Sequence, residues 1–386
     1  MDVGIGVRII LSVETIRFPL TGIGRYTWEL ASALMQAPQL SDLKFFAGNR
    51  FLSELPVVQE RAGLQHGMKQ WVQKSYFATE VYRVLMPLLK RKALKEYGDY
   101  LYHGPNFFLP PFQGKKIATF HDLSPFTWTE CNTSQRIRFM QKELIKTISC
   151  ADALITDSDY VRQEVADYFN WPIEYIHAVP LACSADFHPR TADECLPVLN
   201  KYQLKYQQYL LYVGTIEPRK NLVALLDAYS RLSLNCRRLI PLILTGYKGW
   251  HNEDIMHRIE VAEREGWARY LGYLPARELP VLFAGARVFC FPSLYEGFGL
   301  PVLEAMASGI PVVCSDSSSL PEVIGDIGLM CKPDDVDSMT DLLAQAIEDE
   351  PWRSSSITRG LRRAGAFSWQ RCTEQTIAVY EKVVNS

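Results

Sequence analysis

The chain has 386 residues, 48% of them hydrophobic and 22% charged, and a formal net charge of −2. That length is expected to form about two or three globular domains with real cores, and the near-neutral balance provides no global attraction to nucleic acid or anionic lipid, so any such contact must come from a local patch. Nine cysteines stand singly with no C-x-x-C spacing, which argues against a zinc site or a disulfide framework and fits a reducing cytoplasm, and no stretch approaches the ~18 apolar residues of a membrane span.

Val7-Arg-Ile-Ile-Leu-Ser12 reads as the first strand, and Thr21-Gly-Ile-Gly-Arg-Tyr26 leads into an amphipathic helix through Trp28, Leu30 and Leu34. A Gly-x-Gly between strand and helix lets backbone N–H groups approach phosphate, although the third glycine of a dinucleotide fingerprint is missing. Residues 69–95 carry Lys69, Lys74, Arg83, Lys90, Arg91, Lys92 and Lys95 against the single acid Glu80, interleaved with aromatic and aliphatic residues. Such a segment fits a membrane surface; it fits equally a core-facing helix with a solvated basic face.

Asp99-Tyr-Leu-Tyr-His103 and Lys116-Ile-Ala-Thr-Phe120 read as further strands, the second ending in His121-Asp122 at a carboxyl edge, where α/β sheets place ligand contacts. Asp122 is the expected orienting partner of the His121 imidazole. Ala151–Thr156 is a strand, and Asp157-Ser-Asp159 before a helix reads as capping, as does Asp335-Val-Asp337. No metal site is expected.

Val179 to Pro197 reads as a linker, dividing the chain into residues 1–186 and 187–369, with a final helix over 370–386 returning to the first part. Beyond it, Gln208–Gly214 and Leu239–Thr245 read as strands, and strand and helix alternate to Asp349. Apolar strands without alternation, separated by amphipathic helices, predict parallel sheets covered on both faces, hence a doubly wound α/β protein. In Glu217-Pro218-Arg219-Lys220 two cations meet a helix start, which is unfavourable unless an anion joins them. That conflict suggests a phosphate site, and removal of Lys220 is expected to change the melting temperature little. Gly246–Trp250 and Leu271–Pro275 follow strands at the same edge, and a tight structural turn is one reading of the second loop.

Around Glu296 the chain reads Phe291-Pro-Ser-Leu-Tyr-Glu296-Gly-Phe-Gly-Leu-Pro301-Val-Leu-Glu304-Ala-Met-Ala-Ser-Gly309. It predicts strand, tight glycine turn and helix, with an anion-binding N-terminus flanked by two carboxylates. This stretch resembles the E-x7-E signature of retaining glycosyltransferase family 4, and the resemblance covers nearly the whole chain. It implies the GT-B fold of two Rossmann-like domains facing a cleft. It implies a nucleotide-sugar held by Lys220, Arg219, Gly24, Gly297, Phe298, Gly299, Leu300, Tyr273 and Leu274, with Glu304 on the ribose and Glu296 and His121 beside the transferred sugar. Thr215 stands where many relatives have an arginine, which leaves Lys220 the main charge at the diphosphate.

Thr21–Tyr26, His103-Gly-Pro-Asn106 and Val213–Leu222 together are most similar to bacterial mannosyl- and rhamnosyltransferases of polysaccharide or O-antigen assembly. The resemblance thus implies metal-independent transfer of a hexose from GDP-mannose or GDP-rhamnose, without cofactor. The implied acceptor is a saccharide or polyprenyl-diphosphate-linked saccharide. The implied location is the cytoplasm, with a peripheral association at the inner face of the plasma membrane through residues 69–95. A non-catalytic nucleotide-sugar-binding relative and a nucleotide-sugar epimerase of the same fold are the alternatives. The first should lack one of Glu296, Glu304, Lys220 and His121, and all four are present.

Overall fold

The computed structural model describes residues 6–18, 20, 22–56, 76–131 and 133–386. Two sheets organise it. The first joins β1 (Val7–Ser12), β2 (Leu40–Ala47), β3 (Arg50–Leu52), β4 (Leu101–Gly104), β5 (Lys116–Phe120), β6 (Ala153–Thr156) and β7 (Ile176–Ala178) in the order β3-β2-β1-β4-β5-β6-β7. The second joins β8 (Leu210–Val213), β9 (Leu242–Thr245), β10 (Ala268–Tyr270), β11 (Val288–Phe291), β12 (Val312–Ser315) and β13 (Leu329–Cys331) in the order β10-β9-β8-β11-β12-β13. Every pairing is parallel except β2 with β3, a hairpin edge that the sequence reading did not contain.

The apolar, non-alternating strands behave as expected for parallel strands covered on both faces: β4, β6, β9, β11 and β12 are buried along their whole length. In each sheet the strand order reverses once, between β1 and β4 and between β8 and β11. Loops leaving adjacent strands at such a point run to opposite faces and open a crevice at the carboxyl edge. The segments after β1, β4 and β5 and those after β8 and β11 therefore face one another, and they contain the glycine-rich stretch, His121, Lys220 and Glu296.

Three element boundaries differ from expectation. The first helix begins at Gly22, so Gly22 and Gly24 lie in its first turn rather than in a preceding loop. A capping box between Thr191 and Glu194 starts a helix at Ala192, inside the stretch expected to be linker. Ser233 caps a helix over Leu234–Leu239, and the strand starts only at Leu242. Of the basic stretch 69–95, residues 69–75 lie outside the described residues; a helix spans Tyr76–Ala93, with Leu88 58% exposed on it. No helix among the described residues is long and apolar enough to cross a membrane.

Helix Trp369–Val384 packs on the first sheet's side, against helix Gly22–Leu34 and β1. Tyr380 Oη lies 2.6 Å from His103 Nδ1, and His103 Nε2 lies 2.9 Å from Thr119 Oγ1. Burial pushes His103 down to about 3, so this buried histidine is a neutral tie between the chain's end and β4 and β5.

Candidate active site

Pro218–Lys220 form a single 3₁₀ turn after β8, and Asn221, in the left-handed region at φ 55°, ends it and admits the helix Leu222–Ser230. Asn221 Nδ2 donates to the carbonyls of Pro292 at 3.1 Å and Pro333 at 2.7 Å, which pins the turn beside the loop that follows β11. The result is a buried charge cluster. Lys220 Nζ donates to Glu296 Oε1 at 2.5 Å, Arg219 Nη1 lies 3.6 Å from Glu296 Oε2, and Lys220 and Glu296 are each only 8% exposed. Burial alone would raise the Glu296 carboxyl; Lys220 and Arg219 outweigh it and hold the group below its usual range.

The same loop is clamped from both sheets. Arg219 Nη1 donates to the Tyr295 carbonyl at 2.8 Å, Ser318 Oγ accepts from Glu296 N at 2.8 Å, and Ser319 Oγ donates to the carbonyls of Glu296 and Phe298. From the first domain, Ser158 Oγ donates to the Gly297 carbonyl at 2.7 Å, and Tyr295 Oη accepts from Leu123 N at 2.8 Å while donating to Glu164 Oε2. A Cβ on Gly297 would run into the His121 carbonyl, so glycine here allows the two halves of the cleft to touch. Gly299, at φ 110°, then opens the helix Leu300–Ala307; Pro301 has no N–H and Val302 and Leu303 donate to the Gly299 carbonyl, which leaves the N–H groups of Gly299 and Leu300 without a helical partner. Gly309, at φ 74°, follows its C-cap Ser308.

Glu304 is one turn deeper in that helix and has a different character. Burial pushes its carboxyl up to about 8, and among the described residues Arg25 of the first helix is the charge that opposes the shift. Gly24, next to Arg25, is buried; a Cβ there would stand 2.8 Å from the Thr15 carbonyl, so the glycine permits close packing of helix on loop. Nothing about that contact assigns Gly24 to phosphate.

His121 is where expectation and structure part. Its Nδ1 meets Asp157 Oδ2 at 2.7 Å and its Nε2 donates to the Pro105 carbonyl at 3.0 Å. Asp122 does not orient the ring: its Oδ1 accepts from Ser124 N at 3.0 Å and from Ser124 Oγ. The reason is strand register, since Thr156 pairs with Phe120 and brings Asp157 level with His121. Burial disfavours the imidazolium, but the Asp157 charge and hydrogen bond outweigh it and raise His121 above its ordinary pKa. The Asp157-Ser158-Asp159 run is thus divided: Ser158 caps the helix Asp159–Phe169, and Asp157 serves the histidine. Asp335 is a cap, accepting from Ser338 N at 2.9 Å. Asp157→Asn should return the imidazole to or below its usual titration range. Proton NMR of the His121 ring across pH 5–9 measures this, and a histidine still titrating high in the variant would remove Asp157 as the cause.

Tyr273 and Leu274 sit at the same carboxyl edge, after β10. Leu274 is buried, whereas Tyr273 is exposed and stacks on Tyr247 at 4.2 Å and 18° between planes, a pairing with no sequence signal. The structure brings Arg219, Lys220, Glu296, Gly297 and His121 into one cluster. Glu304 is influenced instead by Arg25 of the first helix, the residue after Gly24.

Comparison with known proteins gives the family and the fold. The family model described as glycosyl transferases group 1 matches residues 200–363. The O-antigen chain mannosyltransferase B of Escherichia coli is 46% identical over 378 residues, covering 97% of this chain and 99% of its own. The serotype-specific mannosyltransferase WbdA of Escherichia coli is 31% identical over 281 residues, which are 70% of this chain but 34% of that longer protein. Among solved structures, Anabaena HepE in complex with UDP-glucose superposes with a TM-score of 0.71 at 15% identity, over 98% of this chain and 100% of that one. The fold is therefore GT-B, and with a relative of this identity aligned from end to end, the chain belongs to the group 1 glycosyl transferases.

Proposed function

We propose that this protein transfers mannose from GDP-mannose, with retention of configuration and without a metal, to a saccharide or a polyprenyl-diphosphate-linked saccharide in O-antigen assembly. The carrying observation is the buried Lys220–Glu296–Arg219 cluster beside the helix that starts at Leu300, in the crevice between the sheets. The choice of mannose and of O-antigen is supported by the 46% identity with a relative so named. GDP-rhamnose is the closest competing donor on the sequence resemblance.

When the glycosidic bond breaks, negative charge grows on the leaving diphosphate. A lysine ammonium and unpaired helix N–H groups stabilise that charge where it develops, and they do so best in a site that excludes water. Lys220 would exchange its present bond to Glu296 for the diphosphate, or bridge the two. Glu304 accepts from the ribose hydroxyls, Glu296 faces the sugar, and the backbone of Tyr273 and Leu274 meets the base. Glu296 already engages two cations, which suits a role in holding positive charge at the anomeric carbon better than one as covalent nucleophile, and supports same-face attack by the acceptor. The reaction would take place in the cytoplasm.

Because Lys220 and the helix ends supply the positive charge, transfer in millimolar chelator should proceed at about the untreated rate. Release of GDP and of mannosylated product, followed with and without EDTA, tests it. An absolute requirement for Mg²⁺ or Mn²⁺ would overturn the leaving-group assignment.

A further inference from the structure

A cavity of about 1580 Å³ lies in the first domain and not in the crevice between the sheets. Helix Tyr76–Ala93 and helix Ser134–Ile148 form its walls, and the segment Pro105–Gln113 forms its floor. Its volume exceeds the ~300–1,000 Å³ of ordinary small-ligand pockets, so a ligand that fills it is long. Its lining has two chemistries. Met86, Leu88, Phe108, Leu109, Phe112 and Phe139 make it apolar, while eight lysines and arginines against two glutamates make it cationic.

Both acids are already engaged, Glu14 by Lys90 at 2.6 Å and Glu143 by Lys146 at 2.5 Å. Arg91, Lys92, Lys95, Arg138 and Lys142 have no partner among the described residues. Arg138, Lys142 and Lys146 recur every four residues and so form one row along their helix. Unpaired cations gathered over an apolar floor repel one another unless an anion joins them. An inorganic anion would leave the floor unused, and an uncharged lipid would leave the row unused.

The cavity's inner end reaches the active site. Thr15 and Pro105 line it; the Thr15 carbonyl faces Gly24, and the Pro105 carbonyl accepts from His121 Nε2. From these observations we propose that the groove binds the acceptor as a lipid diphosphate, with the hydrocarbon on the Phe108–Phe112 floor, the diphosphate on the Arg138–Lys142 row, and the saccharide directed past Pro105 to the donor. This choice of acceptor rests on the transfer reaction proposed above; the groove's affinity for a lipid diphosphate does not.

The test uses the full chain and farnesyl diphosphate in titration calorimetry, with farnesol and inorganic diphosphate as separate arms. Farnesyl diphosphate should bind at least about tenfold more tightly than either. The double variant Arg138→Glu/Lys142→Glu, at exposed positions, and separately Leu88→Asp, should each weaken it by about tenfold or more. Slow hydrolysis of GDP-mannose in the absence of acceptor should stay unchanged in both. Binding with no GDP-mannose turnover would uphold the groove and overturn the donor reading. Undiminished binding in both variants, or inorganic diphosphate binding as tightly as farnesyl diphosphate, would overturn the groove. So would variants that lose sedimentation with phosphatidylglycerol vesicles yet keep full farnesyl diphosphate affinity, since the face would then be a membrane-contact surface.

Discussion

Lys220→Ala should cut transfer by about one to two orders of magnitude, because a charge-assisted hydrogen bond to the developing diphosphate contributes roughly 1.5–3 kcal/mol. The sequence alone suggested that folding would be untouched; the structure says otherwise. Lys220 is 8% exposed and bonded to the equally buried Glu296, so its loss leaves a buried carboxylate with Arg219, 3.6 Å away, as the remaining counter-charge. Breaking one side of a buried pair typically costs about 3–5 kcal/mol, and Arg219 keeps the loss towards the lower end. The melting temperature should therefore drop by about 5 °C. The double variant Lys220→Met/Glu296→Gln should recover most of that stability, since neither charge is then stranded, while transfer stays low. Calorimetric melting and steady-state kinetics on both variants separate the two roles. Turnover within about twofold of wild type in Lys220→Ala would show that the lysine serves only the fold.

The two glutamates should fail in different ways because their environments drive them to opposite charge states. Glu296 is held ionised by Lys220 and Arg219, whereas burial pushes Glu304 up to about 8 against the opposing charge of Arg25. For Glu304 the folded pKa exceeds the unfolded value of about 4.3. The folded state therefore binds more protons between these values, and stability decreases as pH rises from about 4.3 to about 8. Glu304→Gln removes that burden. The variant should melt with wild type at pH 4 and above it at pH 9.

Donor binding should move the other way. Ribose hydroxyls donate best to a carboxylate, so wild-type donor KM should decrease as pH rises towards about 8, and Glu304→Gln should raise KM about tenfold or more and flatten its pH dependence. Glu296→Gln should instead lower kcat with a smaller change in KM, since contacts near the anomeric carbon strengthen in the transition state. Melting curves at pH 4, 7 and 9 with donor titrations at each pH decide it. Parallel melting profiles and a KM within twofold for Glu304→Gln would remove Glu304 from the ribose.

Local sequence determined the parts that depend on short-range rules. Non-alternating apolar runs became fully buried parallel strands, Gly299 and Gly309 took the positive φ that begins and closes the helix at Leu300–Ala307, and Ser158 and Asp335 became caps. The long stretch from Phe291 to Gly309 carried the family, because its spacing joins strand, tight turn and anion-binding helix in one segment. The β2–β3 hairpin and the helix at Ala192 went unread, since a three-residue edge strand has almost no period and a proline at position 197 mimics a linker. Tertiary structure decided what lies between elements far apart in the chain. Asp157 rather than Asp122 meets His121 because strand register sets which carboxylate is level with the ring. Lys220 is buried on Glu296 because β8 and β11 are neighbours at the point where the strand order reverses. The shift of Glu304 and the cationic groove arise from packing between segments tens to hundreds of residues apart. Desolvation and Coulomb interaction depend on distance in space, and spacing along the chain encodes that only within one helix or strand.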